Sequence, residues 1–187
     1  MKGCVDRVWK SCYNKNMNTE MKDALSASVR GFRLPRYHEI PDVGLYLEQT
    51  TKYINQNVEP LGFGVLTGSM IRNYVKQGLV ANPVNKQYSA NQIAHLMAIA
   101  VLKQAIPLEH ISNFFVLQQK VYTDEVAYNY FCEELENILY HRFGLKGEYE
   151  TVGVTDTVVK EMLRSAIVAV SHIVYLNACL KVLVEEE

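Results

Sequence analysis

Ser69, Arg72, Asn73 and Lys76 stand three and four residues apart, the spacing that gathers side chains on one face of a helix. Lys86, Gln87 and Tyr88 follow in a row a little further on. Arginine and asparagine carry the paired donors and acceptors that suit base edges in a DNA major groove, while lysine, serine and a helix N-terminus suit phosphate. No Asp or Glu occurs between residues 60 and 108. Nothing nearby in the chain neutralises these cations. A solvated helix that happens to be basic is the plainer alternative.

The formal net charge of −1 conceals this asymmetry. Residues 1–59 carry 9 basic and 7 acidic side chains, residues 60–108 carry 4 and 0, and residues 109–187 carry 6 and 13. Four cations are few for a nucleic-acid surface, because each neutralised phosphate adds one increment to a salt-dependent affinity. A firm grip therefore calls for two copies.

The elements that position these residues can be read from periodicity and punctuation. With 187 residues and 49% apolar side chains, the chain can bury a substantial core. Residues 1–33 show little periodicity and read as an N-terminal arm, in which MKDALSASV has the composition of a short helix; Met17 is an alternative start. From Val43 an apolar stripe runs through Leu47, Thr50, Ile54, Val58 and Leu61, as in a helix packed along one side. Thr67 or Ser69 caps the next, short helix, whose inner face is Ile71, Tyr74 and Val75 and whose stop is Gly78.

A strand-like link containing Pro83 and Tyr88 leads to Ser89 and Gln92, a capping box opening a third helix. Pro107 suits the first turn of a fourth. Two longer helices are expected from about Thr123 to His141 and from about Thr155 to Val184. The second is apolar over most of its circumference, so it needs partners on more than one side, and a twofold-related copy is a natural one.

Other residues invite chemistry without supplying a pattern for it. GFGVLTGS lacks the lysine of a phosphate-binding loop and reads as a flexible connector. Glu133, Glu134 and Glu136 spread around their helix as a solvated acidic face. His95, His110 and His172 are isolated. Cys4, Cys12, Cys132 and Cys179 form no C-x-x-C pair, as expected of reduced thiols, although Cys132 and Cys179 become a redox pair if the last two helices bring them together. No catalytic, metal or dinucleotide fingerprint is present, so neither an enzyme nor a cofactor is expected. Tyr122, Tyr128, Tyr130, Phe131, Tyr140 and Tyr175 give an aromatic C-terminal interior, which ordinary packing accounts for and which also suits a small effector. SAIVAVSHIVYLNACLKVLV has the length of a membrane span. His172, Asn177 and Lys181 interrupt it, and a buried or interface helix is the better reading. MKGCVDRVWKSCYNKN has no apolar run of signal length, so a cytoplasmic protein with no membrane contact is expected.

Two resemblances add to this reading. IRNYVKQGLV, then KQYSANQIAHLMAIAVLKQ and IPLEHISNFF, resemble the winged helix-turn-helix of MerR-type regulators, through Ile71, Arg72, Tyr74, Gly78 and Leu79, then Tyr88, then Pro107, Leu108, Glu109 and Ile111. The likeness covers about residues 65–115. It implies that Arg72 and Tyr74 touch the DNA backbone, that Asn73 and Lys76 read or flank bases, and that Lys86, Gln87 and Tyr88 form a wing contact. Gln87 stands where that family usually has arginine, and VEPLGFGVL makes a longer connection than its tight turn. Residues 34–49 also resemble the LPRY-x-E-I/L-PD-x-GLYLEQ motif of an uncharacterised bacterial family, itself taken to contain a MerR-like module.

The expectation is therefore a mainly α protein: an arm (1–33), a MerR-like winged helix-turn-helix (34–118), and a C-terminal helical region (119–187) for dimerisation or effector binding. Its expected role is a homodimeric regulator of transcription that binds double-stranded DNA through Ser69, Arg72, Asn73, Tyr74, Lys76, Lys86, Gln87 and Tyr88. The alternative is a protein-interaction module that keeps the same fold without reading DNA sequence.

Overall fold

The computed structural model describes residues 19–148, 150, 152–153 and 157–185. Cys4, Cys12, Met17 and the helix start expected at Thr155 lie outside the described residues. Seven α-helices, two single-turn 3-10 helices (Tyr37–Glu39 and Glu59–Leu61) and one two-stranded ribbon make up the regular structure of the described residues: α1 (Thr19–Val29), β1 (Leu45–Tyr46), α2 (Leu47–Val58), α3 (Gly68–Lys76), β2 (Gln87–Tyr88), α4 (Ala90–Leu102), α5 (Leu108–Gln119), α6 (Asp124–Arg142) and α7 (Val158–Glu185). The chain is mainly α-helical.

α4 is the central element. Every residue from Gln92 to Leu102 except His95 is buried, because α2, α5, α6 and α7 all pack on it. Its start is local: Ser89 and Gln92 make the reciprocal capping box, with the Ser89 N–H donating to Gln92 Oε1 at 2.9 Å. Thr67 Oγ1 accepts the Met70 N–H to open α3, and Thr123 Oγ1 accepts the Val126 N–H to open α6. Pro107 sits at the N-cap of α5, one residue before its first turn.

Four readings of the sequence need correction. The stripe of α2 does not begin at Val43, which is 77% exposed; Gly44 turns the chain at φ +72° and β1 follows before the helix starts. The short helix expected at MKDALSASV is present as α1, but it is not a free arm: Leu25 and Val29 are buried, and α1 packs against α7. GFGVLTGS is not loose: Asn55 Nδ2 donates to the Leu66 carbonyl and the Leu66 N–H donates to Asn55 Oδ1, both at 2.8 Å. The acidic face on α6 is solvated only at Glu133, because Glu134 is fully buried against Arg164 and Glu136 is mostly buried against Arg36.

The LPRY stretch is a clasp. Leu34 is fully buried, and the Arg36 guanidinium forks onto Glu136 through Nη1 to Oε1 at 2.6 Å and Nη2 to Oε2 at 2.7 Å. Glu136 Oε1 also accepts the Leu34 N–H. Tyr37 stands edge-on to Tyr128, with ring centroids 6.4 Å apart. These contacts tie residues 34–37 to α6, about a hundred residues away in sequence.

Candidate nucleic-acid interface

α3 is amphipathic in the way its spacing demands. Ile71 and Tyr74 are buried and Val75 is half-buried, whereas Ser69, Arg72, Asn73 and Lys76 are exposed. Arg72 Nη2 donates to Ser69 Oγ at 3.2 Å, which holds the guanidinium along the first turn. Gly68 packs where a side chain would not fit freely, since a Cβ there would lie 3.2 Å from Leu47 Cδ2. The N-terminal ends of α2 and α3 are thus in contact.

The link after α3 folds back as a hairpin. Asn85 and Lys86 both have positive φ (50° and 65°), and the Gln87 N–H donates to the Val84 carbonyl at 2.9 Å, the signature of a type I′ turn. Gln87 and Tyr88 then pair antiparallel with Tyr46 and Leu45. Gly44 is required where these strands meet: its φ is +72°, and a Cβ would lie 3.2 Å from that of Gln87. Lys86 occupies the exposed tip of the hairpin.

Tyr88 is buried at the base of the hairpin. Burial pushes its phenol pKa up, and the positive charge of Arg72 works against that rise. Burial likewise raises the Tyr74 phenol. Tyr74 and Tyr88 are each only 3% exposed. This corrects their expected role: the rings hold α3 and the hairpin against the core and present no free face. Six of the eight expected contact residues remain on the surface, with Gln87 half-covered.

Among the described residues, no carboxylate forms an ion pair with Arg72, Lys76 or Lys86, although Arg33, Arg36, Lys146 and Arg164 each have one. The fold does bring acids closer than the sequence suggests, since Asp42 and Glu48 flank β1. Tyr46, 53% exposed beside Gln87, is a surface residue that periodicity could not find, because its position depends on a strand pairing across some forty residues.

The remaining candidates are structural. His95 stacks on Phe115 at 4.7 Å, and its Nε2 lies 3.3 Å from the Asp124 carboxylate. Burial pushes the Cys132 thiol up to about 12, which suppresses the thiolate that redox chemistry needs. Tyr122, Tyr128, Tyr130 and Phe131 line an apolar cavity of about 50 Å³ under α7. Tyr140 and Tyr175 serve elsewhere: the Tyr140 hydroxyl donates to the Phe32 carbonyl, and Arg142 lies 3.8 Å over the Tyr175 ring.

Residues 35–139 match a family model described as a domain of unknown function (DUF1836). The match starts one residue before Arg36 and ends three after Glu136, so the clasp closes the matched region nearly end to end. No curated protein and no solved structure matches the chain.

Proposed function

The chain belongs to the DUF1836 family, and we propose that it is a DNA-binding regulator with a MerR-like winged helix-turn-helix, in which α3 enters the major groove and the Asn85–Lys86 hairpin is the wing. The observation that carries this reading is the set of unneutralised cations Arg72, Lys76 and Lys86 on a short capped helix and the adjoining hairpin tip. Arg72 and Asn73 offer bidentate donors and acceptors to base edges. Ser69, Lys76 and the α3 N-terminus face phosphate, and Lys86 reaches the flanking backbone. Tyr74 and Tyr88 act from behind by fixing the helix and the wing.

The backbone at Lys86 supports the assignment independently. The second position of a type I′ turn ordinarily goes to glycine, and a non-glycine residue held in the left-handed region costs about 1–2 kcal/mol. A lysine kept there is consistent with use of its side chain. Lys86→Gly is expected to raise the unfolding temperature by about 2 °C, net of glycine's larger unfolded-state entropy, while weakening DNA binding. An increase in thermal stability with undiminished affinity would remove Lys86 from the interface.

Binding selection from random duplexes tests the reading as a whole. With two phosphate-facing lysines per copy, the slope of log affinity against log salt is expected to be about −1.8 for one copy and about −3.6 for two. The double variant Arg72→Ala, Lys76→Ala should enrich no motif and lose about 0.9 of slope per copy. If wild type and variant titrate alike, α3 is not the DNA-reading element.

A second reading, a protein-interaction module, draws on the exposed apolar residues around the ribbon. Val43, Tyr46 and Val84 are 77%, 53% and 74% exposed, and such residues suit a protein surface better than a phosphate backbone. It is favoured if no sequence is enriched at low salt while a purified protein partner is retained and is lost on Arg72→Ala, Lys76→Ala.

A further inference from the structure

Between α5 and the N-terminal half of α7 lies a groove of about 660 Å³, walled by Leu102, Phe114, Leu117, Val158, Met162 and Ala166. Its apolar walls are open to solvent: Leu117, Met162 and Val158 are 39%, 44% and 76% exposed. No lysine or arginine lines it, and Glu161 stands on its rim with a side chain 70% exposed. Asn113 and Ser165 add side-chain oxygens that can accept hydrogen bonds. From Val158 to Ala169 the wall that α7 supplies is about 16 Å long at 1.5 Å per residue.

We propose that the N-terminal segment of the same chain fills this groove, with residues 5–13 seated as a short helix and Trp9 at its centre. Residues 1–33 show little periodicity as a whole, yet Val5, Val8, Trp9, Cys12 and Tyr13 stand at steps of three, one, three and one, the spacing of one apolar helical face. Nine residues of helix are about 13 Å long, a match to the groove. Arg7 and Lys10 fall on the opposite face, where they stay in water beside the rim. The charges are complementary. Residues 1–18 carry Lys2, Arg7, Lys10 and Lys15 against Asp6 alone, whereas residues 109–187, which hold most of α5 and all of α7, carry 6 basic and 13 acidic side chains.

The short connection favours this occupant over any separate chain. α1 begins at Thr19 and packs against α7, the helix that also walls the groove. The step from Tyr13 to Thr19 covers up to about 20 Å when extended, longer than the groove itself. A segment tethered this closely meets its site at an effective concentration of millimolar order. Trp9 is the anchor, because an indole buries on the order of 200 Å² of mostly apolar surface and keeps one N–H to satisfy. Acceptors for that N–H stand on the walls at Asn113 and Ser165.

This contact does not depend on the DNA-binding reading, and it is tested on the full chain. Trp9 is the only tryptophan, so its fluorescence reports the segment without background. In the native chain its emission is expected at shorter wavelength than in urea, with acrylamide quenching about threefold weaker, because a packed site excludes the quencher. Met162→Lys with Ala169→Lys changes two exposed groove positions to a residue that also favours helix. It should return both signals to their unfolded values while the unfolding transition stays cooperative. Val5→Asp with Cys12→Asp, which breaks the stripe on either side of Trp9, should do the same from the other partner. Emission that is independent of protein concentration places Trp9 in its own chain's groove. A shift to longer wavelength on about 100-fold dilution would give the groove to a second copy and overturn the proposal. So would an exposed Trp9 in the native chain, or a Trp9 that stays shielded in Met162→Lys, Ala169→Lys.

Discussion

Replacing Arg164 by alanine is expected to lower the unfolding free energy by about 3–5 kcal/mol, the cost of leaving one member of a buried ion pair uncompensated. Arg164 Nε donates to Glu134 Oε1 at 2.8 Å, and the Glu134 side chain is fully buried between α6 and α7. Its carboxylate has given up water for this guanidinium, so removing the cation costs far more than an exposed pair would. The discriminating control removes both charges. Arg164→Met with Glu134→Leu should recover most of the loss, because packed apolar groups of similar volume replace buried pairs at little cost. Urea unfolding of the two single variants and the double variant gives the coupling directly. A loss below about 1 kcal/mol for Arg164→Ala would place the pair with ordinary surface bridges.

Arg36→Ala is expected to cost about 2–3 kcal/mol, somewhat less because the Arg36 and Glu136 side chains keep 18% and 13% of their exposure. The hydrogen bonds that Arg36 donates to Glu136 are the largest influence on the guanidinium and raise its pKa further. Arg36→Lys should not rescue the loss, since an ammonium cannot make two parallel bonds to one carboxylate while also serving the Leu34 carbonyl, as Arg36 Nη1 does at 3.0 Å. Measured well below the unfolding transition, DNA affinity should be unchanged. Weakened DNA binding in a variant of undiminished stability would mean that the LPRY stretch contacts DNA, contrary to the clasp described above.

The comparison of sequence with structure divides along the range of the interactions. Helix ends were legible because they are decided within a few residues. Ser89 needs only Gln92, Thr67 only Met70, and Thr123 only Val126. Gly78 adopts positive φ where a stop was expected, for want of a Cβ. The outward face of α3 was legible for the same reason, since steps of three and four place Ser69, Arg72, Asn73 and Lys76 together whatever the helix packs on.

Burial of individual members of a pattern was not legible. The partner of Glu136 is Arg36, 100 residues away, and that of Glu134 is Arg164, 30 residues away on another helix. The helical spacing of Glu133, Glu134 and Glu136 is the same whether those cations stand opposite or not. Tyr74 and Tyr88 carry polar groups suited to a surface, yet the core closes over their rings. β1 looked like the start of α2 because its pairing with β2 is written in no local period; Gly44 alone marks the turn.

By itself, then, the sequence determined where α3, α4 and α6 begin, which face of α3 is polar, and that α7 packs on more than one element. Each of these follows from interactions inside a turn or two of helix. The tertiary structure decided that the LPRY stretch is a clasp, that the two tyrosines are supports, and that the outer face of α7 is left open. These depend on contacts between elements tens to a hundred residues apart, and only the folded chain sets which groups lose their water.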